Sequence, residues 1–242
     1  MEIRICTNPD TLGKSAAEYT AKCINDAIAE KGIARIALST GASQFDTIKH
    51  LVKQDVDWSK VEMFHLDEYV GMAETHGASF RKYLKERFVN QVENLKAAHF
   101  VDGTKEGIKA LTEEIRKAPI DIGLIGIGEN SHIAFNDPPA NFDTKEAYII
   151  VDLDEKCRKQ QLGEGWFPTL DDVPKQAVSM TVYQIMQCKK IVSCVPYPVK
   201  ADAIDKTIHT AETTPYVPAT KLKEHEDFIL YVDMDSAKEI LK

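Results

Sequence analysis

Apolar residues recur along this chain in two periods that alternate. Short runs such as "EIRI", "ARIALS", "VEMFHL" and "DIGLIGIG" are rich in β-branched and other apolar residues and predict strands. Between them lie longer stretches with helical spacing: about Thr11 to Lys31, "TGASQFDTIKHLV", the region around "SFRKYLKERFV", and "KEGIKALTEEIRKA". Further on, "AYIIVDL", "KIVSCV" and "FILYVD" read as strands, with a helix at "VKADAIDKTIHT" between the last two. Strands alternating with helical patterns predict an α/β fold, a Rossmann-like, largely parallel sheet flanked by helices. The rhythm breaks between about Glu155 and Lys175. There "CRKQQLGEGWFPTLDDVPK" carries two Gly, two Pro and an isolated Trp, which predicts a loop or mobile lid within about residues 147–176. No repeat, low-complexity tract or linker divides the chain, so a single domain over 1–242 is expected.

Composition narrows the function classes. The net charge of −8 argues against nucleic acid as a partner, and an anionic ligand would need local donors. Five cysteines, at 6, 23, 157, 188 and 194, include no Cys-x-x-Cys pair. That pattern favours a reducing compartment over a disulfide framework or zinc site. "MEIRICTNPD" has no apolar core of the signal-peptide kind, and no apolar run approaches the ~18 residues of a membrane helix. The expectation is a cytoplasmic protein without membrane association.

In parallel α/β sheets ligands bind beyond the carboxyl ends of the strands, and four such ends carry unusual residues. After "ARIALS" come Thr40, Gly41, Ala42 and Ser43, small residues that leave a helix N-terminus open to an anion such as phosphate. The same stretch also reads as a plain strand–helix turn with a Ser N-cap. After "VEMFHL" come Asp67 and Glu68, a general-base candidate if burial raises a carboxyl pKa, or else an acidic turn. After "DIGLIGIG" come Asn130, Ser131, His132, Asn136 and Asp137, where a His with a nearby carboxylate could relay protons near neutral pH. A lone His is also commonly a satisfied loop residue. Lys200 follows "KIVSCVPYP" and could hold an anion, or simply be solvated. Each signal is weak alone; their convergence on one rim is stronger. No nucleophile elbow, metal cluster or Walker loop competes.

The same residues resemble a known family. "TGAS", "LDEYVG", "GIGENSHIAFNDP" and "VPATKL", spread from the first strand to the last, are similar to motifs of the glucosamine-6-phosphate deaminase (isomerase) family. The related 6-phosphogluconolactonases typically have Asp-Glu-Arg where this chain has "DEY", and a different residue pattern after the His. The resemblance implies conversion of an amino-sugar 6-phosphate, glucosamine-6-phosphate or its galactosamine epimer, to a ketose 6-phosphate and ammonia. It implies no redox cofactor and no metal. His132, oriented by Asp137 and Asn130, would assist ring opening, and Asp67 would move a proton between C2 and C1. Thr40, Gly41, Ala42, Ser43 and Lys200 would hold the phosphate, with Glu68 beside the substrate. A lactonase-like hydrolase and a non-catalytic sugar-phosphate-binding module are the alternatives.

Four departures from the family pattern stand out. Asp137 replaces the usual Glu, so its contact with His132 is expected to need backbone adjustment or a water. Ser131 replaces the Gly before the His. The lid arginine that binds phosphate is missing, with Gly165 of "EGWFP" in its place and Arg158 the nearest Arg. Tyr197 stands where a glycine usually precedes the Lys region. Together they suggest altered sugar specificity around preserved proton-transfer groups. Some members are hexamers activated by N-acetylglucosamine-6-phosphate. The serine, arginine and lysine of that effector site correspond to about Ala140, Ala147 and Ile149, so no such activation is expected. Family members differ in assembly; a homo-oligomer is compatible with the sequence, and no interface is legible.

Overall fold

The computed structural model describes residues 1–242 and contains ten strands. They are β1 (Glu2–Cys6), β2 (Ala34–Leu38), β3 (Val61–His65), β4 (Asp67–Tyr69), β5 (Ala97–His99), β6 (Ile122–Leu124), β7 (Tyr148–Asp152), β8 (Gln176–Met180), β9 (Lys190–Val195) and β10 (Phe228–Asp233). The helices are α1 (Pro9–Lys31), α2 (Phe45–Leu51), α3 (Phe80–Arg87), α4 (Lys105–Ile115), α5 (Glu155–Gly163), α6 (Val182–Ile185) and α7 (Ala201–His209). Seven strands form one sheet in the order β1-β10-β9-β6-β2-β3-β5, every pair parallel.

Helices on both faces explain why the central strands are apolar throughout rather than alternating. All five residues of β2 are buried. Ile36 and Leu38 pack into the core beneath α1 and α2, while Ala37 faces the opposite core with Phe64 and Leu230. β1, at the sheet's edge, has only intermediate and exposed positions. The long α1 begins at a capping box, in which Asn8 accepts from Thr11 N and Thr11 accepts from Asn8 N. It ends at Gly32, in the left-handed region with φ 81°.

Strand order fixes where a ligand can sit. From β2 the chain runs outward through β3 to β5, then returns to β6 on the other side of β2 and runs outward again through β9 to β10. β2 and β6 are thus the pair at which direction reverses, and their carboxyl ends diverge into a crevice. Ser39 N donates to Leu124 O at 3.0 Å, and Gly126 N to Ser39 Oγ at 3.1 Å, closing its floor.

Three features differ from the sequence expectations. "AYIIVDL" is a strand, but it joins no parallel sheet: β7 pairs antiparallel with β8, which pairs antiparallel with β4. β4, β5 and β8 are strands where none was expected. The stretch expected as a loop contains α5, capped by Asp154, whose side chain accepts from Cys157 N at 2.6 Å. Its residues Cys157, Phe167 and Val173 pack with Tyr69, Phe80 and Phe135 in a third apolar cluster, which seats the segment beside the crevice.

Candidate active site

The crevice holds a cleft lined by 18 residues. Among them are Thr40, Gly41, Ala42, Ser43, Asp67, His132 and Lys200, so segments far apart in sequence meet around one space. Glu68, Asn130 and Asp137 are not on its wall.

Asp67 opens β4, paired with Ser179 across the small sheet, and is only 6% exposed. Burial, with the neighbouring charge of Glu68 adding to it, pushes its carboxyl up to about 8. Glu68 corrects the expectation of a substrate contact. Successive side chains of a strand point to opposite faces, so Glu68 turns away from the cleft and is fully buried. There it accepts from Ser79 Oγ, Arg81 N and Tyr69 N at 2.9, 2.9 and 3.0 Å, and faces Arg81 Nε at 3.4 Å. Tyr69 returns to the Asp67 side, where its hydroxyl donates to Gln161 of α5 at 2.9 Å.

His132 lies in the loop after β6. Its Nδ1 is 3.1 Å from Asp137 Oδ1, so the shorter carboxylate reaches it directly, without the adjustment or water expected. The contact falls short of hydrogen-bond geometry, a common state for catalytic pairs before substrate tightens them. Asn130 braces both partners, accepting from His132 N at 3.1 Å and donating to Asp137 Oδ1 at 3.0 Å. Burial raises the Asp137 carboxyl, but contacts from His132, Asn130 and Asp154 N outweigh it and hold it below the ordinary range. The imidazole ring occupies space that only glycine leaves free, because a Cβ on Gly128 would stand 2.2 Å from its Nε2. Behind the loop, Ala219 of "VPATKL" donates its N–H to Ser131 O at 2.9 Å. Asn136 points away from the cleft chemistry, donating to Ile133 O and Met180 O at 2.8 Å each.

On the same cleft wall, residues 42–44 form a single 3₁₀ turn ahead of α2, and no side chain caps either. Ser43 is therefore no N-cap. Gly41 has φ 94°, and its carbonyl accepts from Tyr83 Oη at 3.0 Å. Lys200 is buried but lines the cleft; burial lowers its pKa against the opposing pull of Glu164 and Glu129. Gln44, Gln160, Gln161, Glu164 and the rings of Phe80 and Phe135 also line the cleft and had not been singled out from the sequence. Gly165, expected at the missing arginine's place, is exposed at φ 82°, while its neighbour Glu164 faces the cleft. Arg158 is no replacement: its guanidinium donates to Leu170 O, within the same segment.

His132, Asp137 and Cys157 present ligand atoms within 4.8 Å of one another. Burial, with the charge of Asp137 adding to it, pushes the Cys157 thiol far up.

A buried carboxyl, a His–Asp pair and one lysine at the switch point of a parallel sheet define an α/β protein with an acid–base centre for a small polar substrate. The chain belongs to the glucosamine-6-phosphate isomerase/6-phosphogluconolactonase family, whose family model matches residues 7–230. It is 35% identical to a glucosamine-6-phosphate deaminase of Staphylococcus epidermidis, over 94% of this chain and 97% of the relative. Among solved structures, a monomeric glucosamine-6-phosphate deaminase superposes with a TM-score of 0.87 at 26% identity, covering 98% of this chain and 99% of that one. The 6-phosphogluconolactonase of Thermotoga maritima shares the fold at 15% identity and a TM-score of 0.77, covering 96% and 99%. No helix is long and apolar enough to cross a membrane.

Proposed function

We propose that this chain is an aldose–ketose isomerase that deaminates a hexosamine 6-phosphate, releasing ammonia and a ketose 6-phosphate. The observation that carries the reading is the sharing of one cleft by Asp67 and His132, with Asp137 behind the imidazole at 3.1 Å. His132, backed by the ionised Asp137, exchanges a proton with the ring oxygen or the anomeric hydroxyl and opens the sugar. Asp67, once deprotonated, removes the proton from C2 and returns it to C1. The electron pair moves within the substrate, from C–H at C2 to C–H at C1, so the step needs no external oxidant. The resulting imine at C2 takes up water and expels ammonia. Phe80 and Phe135 give the cleft an apolar wall, while the turn at Gly41–Ser43 and Lys200 receive the far end of the sugar. Anchoring that end fixes C1 and C2 before the reactive groups.

Relatives named glucosamine-6-phosphate deaminase support the reading. An ammonia-release assay on glucosamine-6-phosphate and galactosamine-6-phosphate tests it and ranks the two epimers. Asp67→Asn should abolish turnover while substrate still binds. Lactone hydrolysis without ammonia release would instead assign the cleft to the lactonase branch.

A further inference from the structure

Glu164 puts a carboxylate at the end of the cleft where the reading above seats the substrate's charged terminus. It follows the last turn of α5 and lines the cleft with Gly41, Ser43 and Lys200. Its Oε2 lies 3.9 Å from where a Cβ on Gly41 would stand. Two donors hold it: Gln160 Nε2 at 2.8 Å on Oε1 and Trp166 Nε1 at 3.0 Å on Oε2. Gln160 in turn accepts from Glu129 N at 3.1 Å, tying this side chain to the His132 loop. No arginine lines the cleft, and Lys200 is its only lysine.

One buried ammonium and one fixed carboxylate therefore line the same cleft, and the charge of Glu164 acts on Lys200 against its burial, so the two offset each other where a phosphate would arrive. A carboxylate can only accept hydrogen bonds. It repels the oxygens of a phosphate dianion, yet it accepts readily from a neutral hydroxyl. We infer that Glu164 is a specificity-determining residue that disfavours a dianionic terminus and accepts from a free one, so that an amino sugar with an unesterified 6-hydroxyl is a substrate competing with its phosphate ester. The inference rests on the deaminase reading for the reacting end and adds to it only at the far end.

The test compares wild type, Glu164→Gln and Glu164→Arg at pH 8, where a phosphate monoester is a dianion because its second pKa is about 6. Ammonia release is measured from glucosamine and from glucosamine-6-phosphate, and inorganic phosphate is titrated calorimetrically into each protein. Wild type should turn over both sugars. The kcat/KM ratio of ester to free sugar should rise roughly tenfold in Glu164→Gln and further in Glu164→Arg, chiefly through KM, as a like charge is removed and then replaced by an opposite one. The Kd for inorganic phosphate should fall in the same order. A ratio unmoved by either variant, or turnover of the ester with none of free glucosamine, would overturn the inference. Phosphate binding that tightens across the series while no protein releases ammonia would leave the charge assignment standing and remove the deaminase reading instead.

Discussion

Replacing Asp67 by Asn should stabilise the protein at alkaline pH while abolishing its proposed chemistry, and both effects have one cause. In the unfolded chain this carboxyl titrates near the ordinary 3.8, whereas in the fold burial, aided by the charge of Glu68, pushes it up to about 8. Between those values the folded state keeps a proton that the unfolded state has lost. Stability must then fall as pH rises through the window, by ~1.4 kcal/mol per pH unit for a single site, and level off above about pH 8. Below the lower value both states are protonated and the effect disappears. At pH 7 the accumulated cost is on the order of 4 kcal/mol, a large part of a typical folding free energy of ~5–15 kcal/mol. Asn has the same shape and never ionises, so the variant escapes this cost.

The assay is urea unfolding of wild type and Asp67→Asn at pH 5 and pH 8, read as the change in their difference. That difference should grow by about 4 kcal/mol in favour of the variant between the two conditions. Groups that titrate alike in both proteins cancel. A difference that stays constant with pH, or a wild type more stable than the variant at pH 8, would show that the carboxyl ionises freely in the fold and would refute the argument. The same elevation predicts that wild-type kcat/KM climbs towards pH 8, because only the deprotonated carboxyl can accept the C2 proton.

Gly128→Ala should lower kcat by ~100-fold or more, since its methyl would occupy the place of the His132 ring 2.2 Å away and drive the imidazole aside. Steady-state kinetics alongside an intact circular-dichroism spectrum checks it. Asp137→Glu should reduce kcat/KM by roughly tenfold, because the present carboxylate already reaches His132 at 3.1 Å and a longer one must buckle. Equal or better activity would contradict that geometry. Ser131→Gly should raise the melting free energy by about 1 kcal/mol, as it removes a side chain from φ 68° and a buried hydroxyl without a partner. Thermal unfolding reads this directly. N-acetylglucosamine-6-phosphate should leave the saturation curve unchanged, because Ala140 and Ala147 are buried apolar positions in the main core; sigmoidal kinetics relieved by that sugar would count against it.

The alternation of strands and helices was legible because a sheet covered on both faces needs runs such as "ARIAL", and its helices need one apolar face. The acid–base residues were legible because strand ends place them. What was missed depends on partners distant in sequence. β4 is only three residues, too short to show a period, and its partner β8 lies more than a hundred residues on. Glu68 follows Asp67 directly, so their adjacency in sequence suggests one rim cluster, whereas strand alternation in β4 sends one towards the cleft and the other towards Ser79 and Arg81. α5 did carry a signal, Asp154 three residues before Cys157 as an N-cap, but the glycines and prolines that follow obscured it. Whether residue 164 or 165 faces the cleft depends on the phase in which α5 ends, and no local pattern encodes that.

Two of the departures from the family pattern share a physical character. Ser131 at φ 68° and Tyr197 at φ 83° both put a side chain where the backbone favours glycine, and both immediately precede segments that line the cleft. Such conformations cost ~1–3 kcal/mol each and persist only where surrounding bonds over-determine them. Those bonds are present. Ser131 donates its N–H to Gly128 O at 3.0 Å and accepts from Ala219 N, while Tyr197 N donates to Asp233 Oδ2 at 3.1 Å at the end of β10. The positions of His132 and Lys200 are thus set by main-chain contacts with the rest of the fold rather than by glycine's freedom. The rim can then exchange side chains, and even present a carboxylate at Glu164, while the geometry that moves protons stays where it is.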